Sequence, residues 1–505
     1  HNVLEVLNYS RPIKLYLNRQ VVLVLSSFGV PSDIFLELQF NELESCMEAL
    51  TNNEMSLAFV KERSTVFKWE MFPPEQIIQE TFFRDMLISN AIALIAKIVD
   101  RAHISVEKGR VLMGILDEMS CLNYGEVYAR VVEDGVDMEL EGKIVVFRQP
   151  CVLPSDIRVL NARKHNLPPR FRELYQNVLV FPSRGESCHA HECAGGDLDG
   201  DLYYIIWDER LIPADLKMPG MKVIEVKTQE MAQPSTGTTD KDMMEFYCDY
   251  ISSNQLGIIA NAHLAVSDSL GIFDPKAIEL AKYVAAETDA PKKGFTVGKL
   301  KPELMPNEYP DYMQKRDKTS YRSETVLGEL FRQASPILEV LLDKRSVQAP
   351  RMIMLNSDVE KNPVESYYAL YSFEIKKLLQ SFGLESEVDI FSGTPNWSRG
   401  YMSAYKSETQ LLETLNDIVT EFWKKWQINF EKFREAVSND QSKIVEWYNR
   451  PKACLWPAHS FSLLALPYVD IEATNRRSIS KSIQQSAMRW IFHNKISWLT
   501  EWEKR

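Results

Sequence analysis

Three aspartates alternate along Gly195-Gly196-Asp197-Leu198-Asp199-Gly200-Asp201 and run directly into Leu202-Tyr203-Tyr204-Ile205-Ile206-Trp207, an apolar stretch that reads as a buried strand. In extended chain, positions i, i+2 and i+4 project to one side, with a rise of ~3.3 Å per residue. Gly200 lets the backbone bend, so that the three carboxylates can converge instead of lying in a row. Carboxylates gathered this tightly repel one another unless a cation neutralises them. An all-oxygen donor set of this kind suits Mg²⁺ or Mn²⁺. Gly195, Gly196 and Gly200 keep side chains away and leave room for phosphates. An isolated Asp-Gly-Asp is ordinarily a solvated turn, but here the cluster abuts a core strand. A helix-loop-helix calcium site would want Gly at position 6 and Glu at position 12. Counted from Asp197, those positions hold Leu202 and Asp208.

The surroundings fit an α+β chain. Up to residue 105 the pattern is mostly helical: Tyr16 to Leu25 is apolar-rich, Gly29 and Pro31 punctuate, Asp33 can cap the next helix, and Asp85 to Ala102 keeps a helical period. From 106 to 225 short β-rich runs take over (Val111–Leu116, Val127–Val132, Lys143–Phe147, Val178–Phe181, Leu202–Ile206), with turn residues between them. That density of strands predicts a barrel or sandwich. Helical spacing returns at Met243–Asn254, Ile258–Ser269 and Pro275–Ala286. An irregular basic stretch from Asp289 to about Ser323 follows, too long for a simple linker and expected to wrap another element. Residues 324 to 505 read as helical and carry Trp423, Trp426, Trp447, Trp456, Trp490, Trp498 and Trp502, whose spacing favours helix core over stacking on bases.

At ~150 residues per domain, 505 residues allow about three domains. With 58 basic and 70 acidic residues the net charge is −12, which argues against a general polyanion-binding surface while leaving a local basic groove open. The longest apolar run, Ala91 to Val99 with Lys97 inside it, falls short of the ~18 residues a membrane span needs. Seven scattered cysteines suggest a reducing compartment, cytoplasmic or nuclear. The chain opens without Met or a leader and is expected to be an internal or C-terminal piece of a longer protein.

Glu192-Cys193-Ala194-Gly195-Gly196-Asp197-Leu198-Asp199-Gly200-Asp201-Leu202-Tyr203 resembles the catalytic signature of the eukaryotic RNA-dependent RNA polymerases of RNA silencing. Other blocks match in order: Tyr16–Gln20 and Leu25–Pro31, Gly114–Glu118 with Leu122–Val127, Pro150-Cys151 with Pro154–Arg158, Asn254–His263, Asp289–Gly294 and Glu308–Met313. Leu153 and Ser155 stand where the family usually has His and Gly. The resemblance implies two double-psi β-barrels facing across a cleft, with the aspartates on the second. The first barrel, which supplies basic residues, would lie upstream of Tyr16. It further implies a helical connector (1–105), a double-psi β-barrel catalytic domain (106–225), a helical neck with a basic wrapping segment (226–323) and a helical head (324–505).

The activity implied is RNA-directed RNA synthesis. Asp197, Asp199 and Asp201 would hold Mg²⁺ or Mn²⁺, nucleoside triphosphates and a single-stranded RNA template would be the substrates, and duplex RNA would be the product for small-RNA production. Dicing and Argonaute-pathway proteins are the implied partners. Phosphodiester synthesis of this kind uses divalent ions that clamp the attacking and leaving oxygens. Lys292, Lys293, Arg158 and Arg148 are candidate contacts for nucleotide or RNA. For Asn261 and His263 a packed or capping role is favoured. Cys188-His189-Ala190-His191-Glu192-Cys193 is too compressed for an ordinary zinc site and reads as a turn. Two rivals use the same residues: a catalytically incomplete RNA-binding subunit, and a metal-dependent nuclease.

Overall fold

The computed structural model describes residues 9–214, 238–253, 255–293, 300–346, 363–395, 397, 408–451 and 458–469. The chain forms two compact units, His1–Phe40 with Ile98–Gln333, and Asn41–Lys97 with Ala334–Arg505.

Among the described residues, the main sheet of the first unit has eight strands: β1 (Ile13–Tyr16), β2 (Ser105–Leu116), β3 (Glu126–Glu133), β4 (Val136–Glu139), β5 (Gly142–Arg148), β6 (Ile157–Ala162), β7 (Val178–Phe181) and β8 (Leu202–Ile206). Six of them close on themselves in the order β2-β7-β3-β6-β5-β8-β2. Two of these pairings, β2 with β7 and β3 with β6, are parallel, and the rest are antiparallel. Outside the ring, β1 pairs with β2, and β4 folds back on β3 through Asp134-Gly135, both at positive φ as a two-residue hairpin turn requires.

Strand β5 shows why the apolar runs are continuous. Successive side chains point to opposite faces. Ile144 and Val146 join one apolar cluster, with Leu112, Leu160, Leu179, Phe181, Tyr203 and Ile205. Val145 and Phe147 join a second, with Val111, Ile206 and residues of the helices Arg19–Ser27 and Leu256–Leu270. A strand covered on both faces has no polar side to display. The Arg19–Ser27 helix is capped by the Asn18 carboxamide, which accepts from the Val21 N–H at 2.9 Å, and it buries Val21 through Leu25 consecutively.

Three features depart from the sequence expectation. Strand β1 falls where helix was expected. β6 escaped notice because Arg158 and Asn161 interrupt its apolar pattern. The helix expected to end near Ala286 continues to Lys293 through Pro291. The 256–270 helix buries Leu264 and Ala265 in the same cluster as residues of β2 and β5.

The C-terminal part of the basic stretch is tied to a helix. The carboxylate of Asp268, on the 256–270 helix, accepts from Tyr312 (3.1 Å), Ser323 (2.9 Å), Thr325 (2.6 Å) and Tyr321 (2.8 Å), fastening residues 312–325 to that helix.

The second unit is helical with an aromatic core. Phe67 meets Trp69, Phe72, Phe83, Phe391 and Trp423 at centroid distances of 4.9–6.4 Å. Trp447 stacks on Phe461 at 4.3 Å, and Trp426 packs against Tyr371 at 4.8 Å. Trp423, Trp426 and Trp447 are buried, as their helical spacing suggested. Trp456, Trp490, Trp498 and Trp502 lie outside the described residues.

Candidate metal centre

Asp197, Asp199 and Asp201 each place a carboxylate oxygen so that all three lie within 4.8 Å of one another. The mechanism of convergence differs from simple strand alternation. The segment before β8 is turned, with Leu198 at φ +62° and Gly200 at φ +115°. Gly200 was legible as a bend, whereas a leucine in the left-handed region was not. Its side chain packs against the barrel cluster, and this anchorage holds an unfavourable backbone conformation in place.

The glycines play separate parts. Gly195, at φ +71°, has open space around it, in keeping with the expected clearance. Gly196 instead makes room for Tyr203, since a Cβ there would overlap the Tyr203 hydroxyl and crowd the Ala190 carbonyl. Gly114 on β2 leaves space for the other side of the same ring. Tyr203 is fully buried and its hydroxyl has no hydrogen-bond partner among the described residues. Burial, and then the neighbouring Asp201 carboxylate, push its pKa well above the usual tyrosine value.

The three carboxylates are unequal. Asp197 and Asp199 are exposed, and their side chains have no hydrogen bond or ion pair among the described residues. Asp201 is only 10% exposed. Its Oδ1 lies 2.8 Å from Arg148 Nη2, and its Oδ2 accepts the Asp197 N–H at 3.0 Å. Arg148 also donates to the Ala194 carbonyl at 2.9 Å, bracing the turn before the aspartates. This donor set fits a hard divalent cation: oxygen atoms only, two of them free, and one cation beside them that leaves most of the negative charge uncompensated.

Arg158 is not a free surface cation. It is 13% exposed, and its Nε lies 2.9 Å from Glu192 Oε2, close enough for an ion pair although the N–H is not aimed at the oxygen. Lys292 and Lys293 end the Pro275–Lys293 helix, and their side chains lie outside the described residues. His263 is buried, and burial pushes its pKa down to about 4, so it packs as a neutral ring. Asn261 is half-buried on the same helix. Asp156, in the Pro154-Ser155-Asp156 block, accepts from the Val152 and Leu153 N–H groups, and burial raises its pKa to about 7. In the same way Asp117 accepts from Met119 and Leu122, closing the turn between β2 and β3. A cavity of about 100 Å³ lies beside the site, with Arg148, Ser155, Asp156, Glu192, Lys282 and Thr288 in its wall.

Within Cys188–Cys193 the structure forms the short helix His189–Glu192, where the sequence read as a turn.

The family model described as RNA dependent RNA polymerase matches residues 1–334. The chain belongs to the RNA-dependent RNA polymerase family. Its match ends at the border of the first unit, so the whole barrel falls inside it. Among curated relatives, the chain is 31% identical over 467 residues to RNA-dependent RNA polymerase 1 of Arabidopsis thaliana, covering 88% of this chain and 41% of that protein. It is 31% identical over 424 residues to the probable RNA-dependent RNA polymerase 2 of Oryza sativa, covering 77% and 36%. It is 26% identical over 439 residues to RNA-dependent RNA polymerase 1 of Schizosaccharomyces pombe, covering 78% and 35%. The chain thus spans about two fifths of the length of these polymerases. Among solved structures, the RNA dependent RNA polymerase QDE-1 from Thielavia terrestris aligns with a TM-score of 0.50 at 18% identity, over 97% of this chain and 55% of that one. The likeness is one of fold, and the closed ring of six strands is a double-psi β-barrel.

Proposed function

We propose that this chain is the catalytic portion of an RNA-templated RNA polymerase of the silencing class, and that Asp197, Asp199 and Asp201 are its metal ligands. The observation that carries the reading is the convergence of three carboxylates, two without partners, at the entry to a barrel strand of a polymerase-family chain. Mg²⁺ is the proposed physiological ion, with Mn²⁺ as a substitute, and it would supply the positive charge that acidifies an RNA 3′-hydroxyl and steadies the phosphoryl group under attack.

The protein's own contribution is placement. The Arg148 guanidinium holds Asp201 and Ala194 together, and Leu198 and Gly200 aim Asp197 and Asp199 toward the same point. Catalysis of this type is chiefly positioning and charge stabilisation. Single-stranded RNA and nucleoside triphosphates are the proposed substrates, duplex RNA for small-RNA production the product, and dicing and Argonaute-pathway proteins the proposed downstream partners. Lys292 and Lys293 are retained as candidate phosphate contacts. Arg148 and Arg158 already have acidic partners, so a nucleotide would have to share them.

The deciding experiment compares the full-length gene product with its Asp199→Ala variant on a single-stranded RNA template. Wild type should incorporate labelled nucleotide, and the variant should lose incorporation by on the order of 10³-fold. Equal incorporation by the two refutes the assignment, and no incorporation by either favours an RNA-binding subunit. Degradation of labelled RNA with Mg²⁺ and no triphosphates would instead identify a nuclease.

A further inference from the structure

Five residues before the first aspartate, Glu192 gathers four side-chain partners. Its carboxylate accepts from Ser187, from the Tyr124 hydroxyl at 3.2 Å and from His189 Nδ1 at 2.6 Å, and it lies 2.9 Å from Arg158. These partners come from three places: Tyr124 precedes β3, Arg158 belongs to β6, and Ser187 and His189 lie in Glu192's own turn. The tautomer of His189 is fixed as well. Its Nε2 accepts the Gly125 N–H at 2.9 Å, so Nδ1 carries the hydrogen that reaches Glu192. The ring is buried and stacks on Tyr124 at 4.2 Å. Burial alone would raise the Glu192 carboxyl, but Ser187, His189 and the charge of Arg158 bring it below the usual glutamate range.

From this fixed point the backbone runs to the aspartates through a chain of local hydrogen bonds. The Cys193 N–H donates to the His189 and Ala190 carbonyls, Gly195 to His191, and Gly196 to Cys193. Ala194 and Gly195 both take positive φ. Arg148 then ties the Ala194 carbonyl to Asp201. Each residue between Glu192 and Asp197 thus has a backbone hydrogen bond.

We infer that Glu192 is a positioning residue that, through its grip on Tyr124 in the turn before β3 and on Arg158 of β6, sets the geometry in which Asp197, Asp199 and Asp201 share one divalent cation. This rests on the metal-ligand reading proposed above. Glu192 is not one of the three clustered carboxylates. It fixes the turn from which the ligands are hung, so its loss costs cation affinity. Outer residues that orient metal ligands typically carry effects of 10–100-fold on affinity.

The test measures Mn²⁺ binding to the full-length protein, with Mn²⁺ alone as probe, by titration calorimetry or by the loss of its free-ion magnetic resonance signal. Glu192→Gln should weaken binding about tenfold. Saturating Mn²⁺ should then restore nucleotide incorporation in Glu192→Gln but not in Asp199→Asn. Because Glu192→Gln leaves the poorly satisfied Arg158 without its counter-charge, the variant is checked against a milder one that keeps the ion pair, Ser187→Ala with Tyr124→Phe. That double variant should weaken Mn²⁺ binding about threefold with the metal-free melting temperature unchanged. Unaltered Mn²⁺ affinity in a folded Glu192→Gln, or in the double variant, overturns the inference while Asp199→Asn still abolishes binding. If Asp199→Asn itself binds Mn²⁺ like wild type, the underlying metal-ligand reading falls instead.

Discussion

The first unit holds two carboxylate sites that solve opposite problems. Asp268 is almost wholly buried, and four hydroxyl groups from Tyr312, Tyr321, Ser323 and Thr325 surround it. Asp197 and Asp199 are exposed, carry no such donors among the described residues, and stand beside a third carboxylate. A buried charge persists only when its lone pairs are used, and the use made of them at Asp268 is structural, pinning one segment to a helix. Carboxylates left unsatisfied and crowded together cost stability, and a fold that retains them keeps their capacity for a ligand. Acidity alone does not separate these two sites in the sequence. Satisfaction of the oxygens does.

The comparison can be broken by mutation. Asp268→Ala leaves hydroxyls without their acceptor and should destabilise the first unit by on the order of 3 kcal/mol in denaturant titrations. Asp199→Ala should leave stability unchanged or slightly raised in the absence of metal. If it destabilises as much as Asp268→Ala, the triad is a structural element after all. A second outcome sharpens the contrast. Divalent metal at ~100 times its dissociation constant should stabilise wild type by about 2.7 kcal/mol, seen as a raised melting temperature. The same addition should do nothing for Asp199→Asn, whereas metal should stabilise Asp268→Asn as it does wild type.

In the wild-type protein the smallest net effect concerns pH. His263 has a folded pKa of about 4, below the ordinary value near 6.5, so the unfolded chain takes up a proton in that interval and the folded one does not. Its contribution to stability is therefore lost as pH falls from about 6.5 toward 4. Asp156 behaves oppositely: burial raises its carboxyl to about 7, so the folded state binds the proton more tightly and stability grows as pH falls from 7 toward 3.8. The two slopes oppose each other over a shared interval. Removing His263 (His263→Gln) should leave a protein that gains stability on acidification, and Asp156→Asn one that loses it, as followed by melting temperature from pH 7 to pH 4.5.

Much of this could be read beforehand where a residue's role is set by its near neighbours. The runs behind β2, β3, β5, β7 and β8 stand out because strands covered on both faces must be apolar throughout. The aspartates stand out by spacing, and Gly200 by its freedom at positive φ. What escaped depends on partners distant in sequence. β6 is a strand because β3 and β5 flank it, which Arg158 and Asn161 conceal. Gly114 is a glycine because Tyr203 lies against it, and Arg148 meets Asp201 only once β5 and β8 pair, Arg148 against Tyr203. The Cys-His-Ala-His-Glu-Cys stretch advertised sulfur and imidazole, while its glutamate carries the contacts that matter.

The aromatic cluster around Phe67 bears on any attempt to trim the protein. Its members come from both ends of the chain: Phe67, Trp69, Phe72 and Phe83 from one stretch, Phe391 and Trp423 from another some three hundred residues later. A truncation at residue 334, where the family match stops and a cloning boundary looks natural, would keep the first four rings and discard the two that cover them. The product would carry a bare aromatic patch into solution, and its poor yield would say nothing about whether the barrel folds.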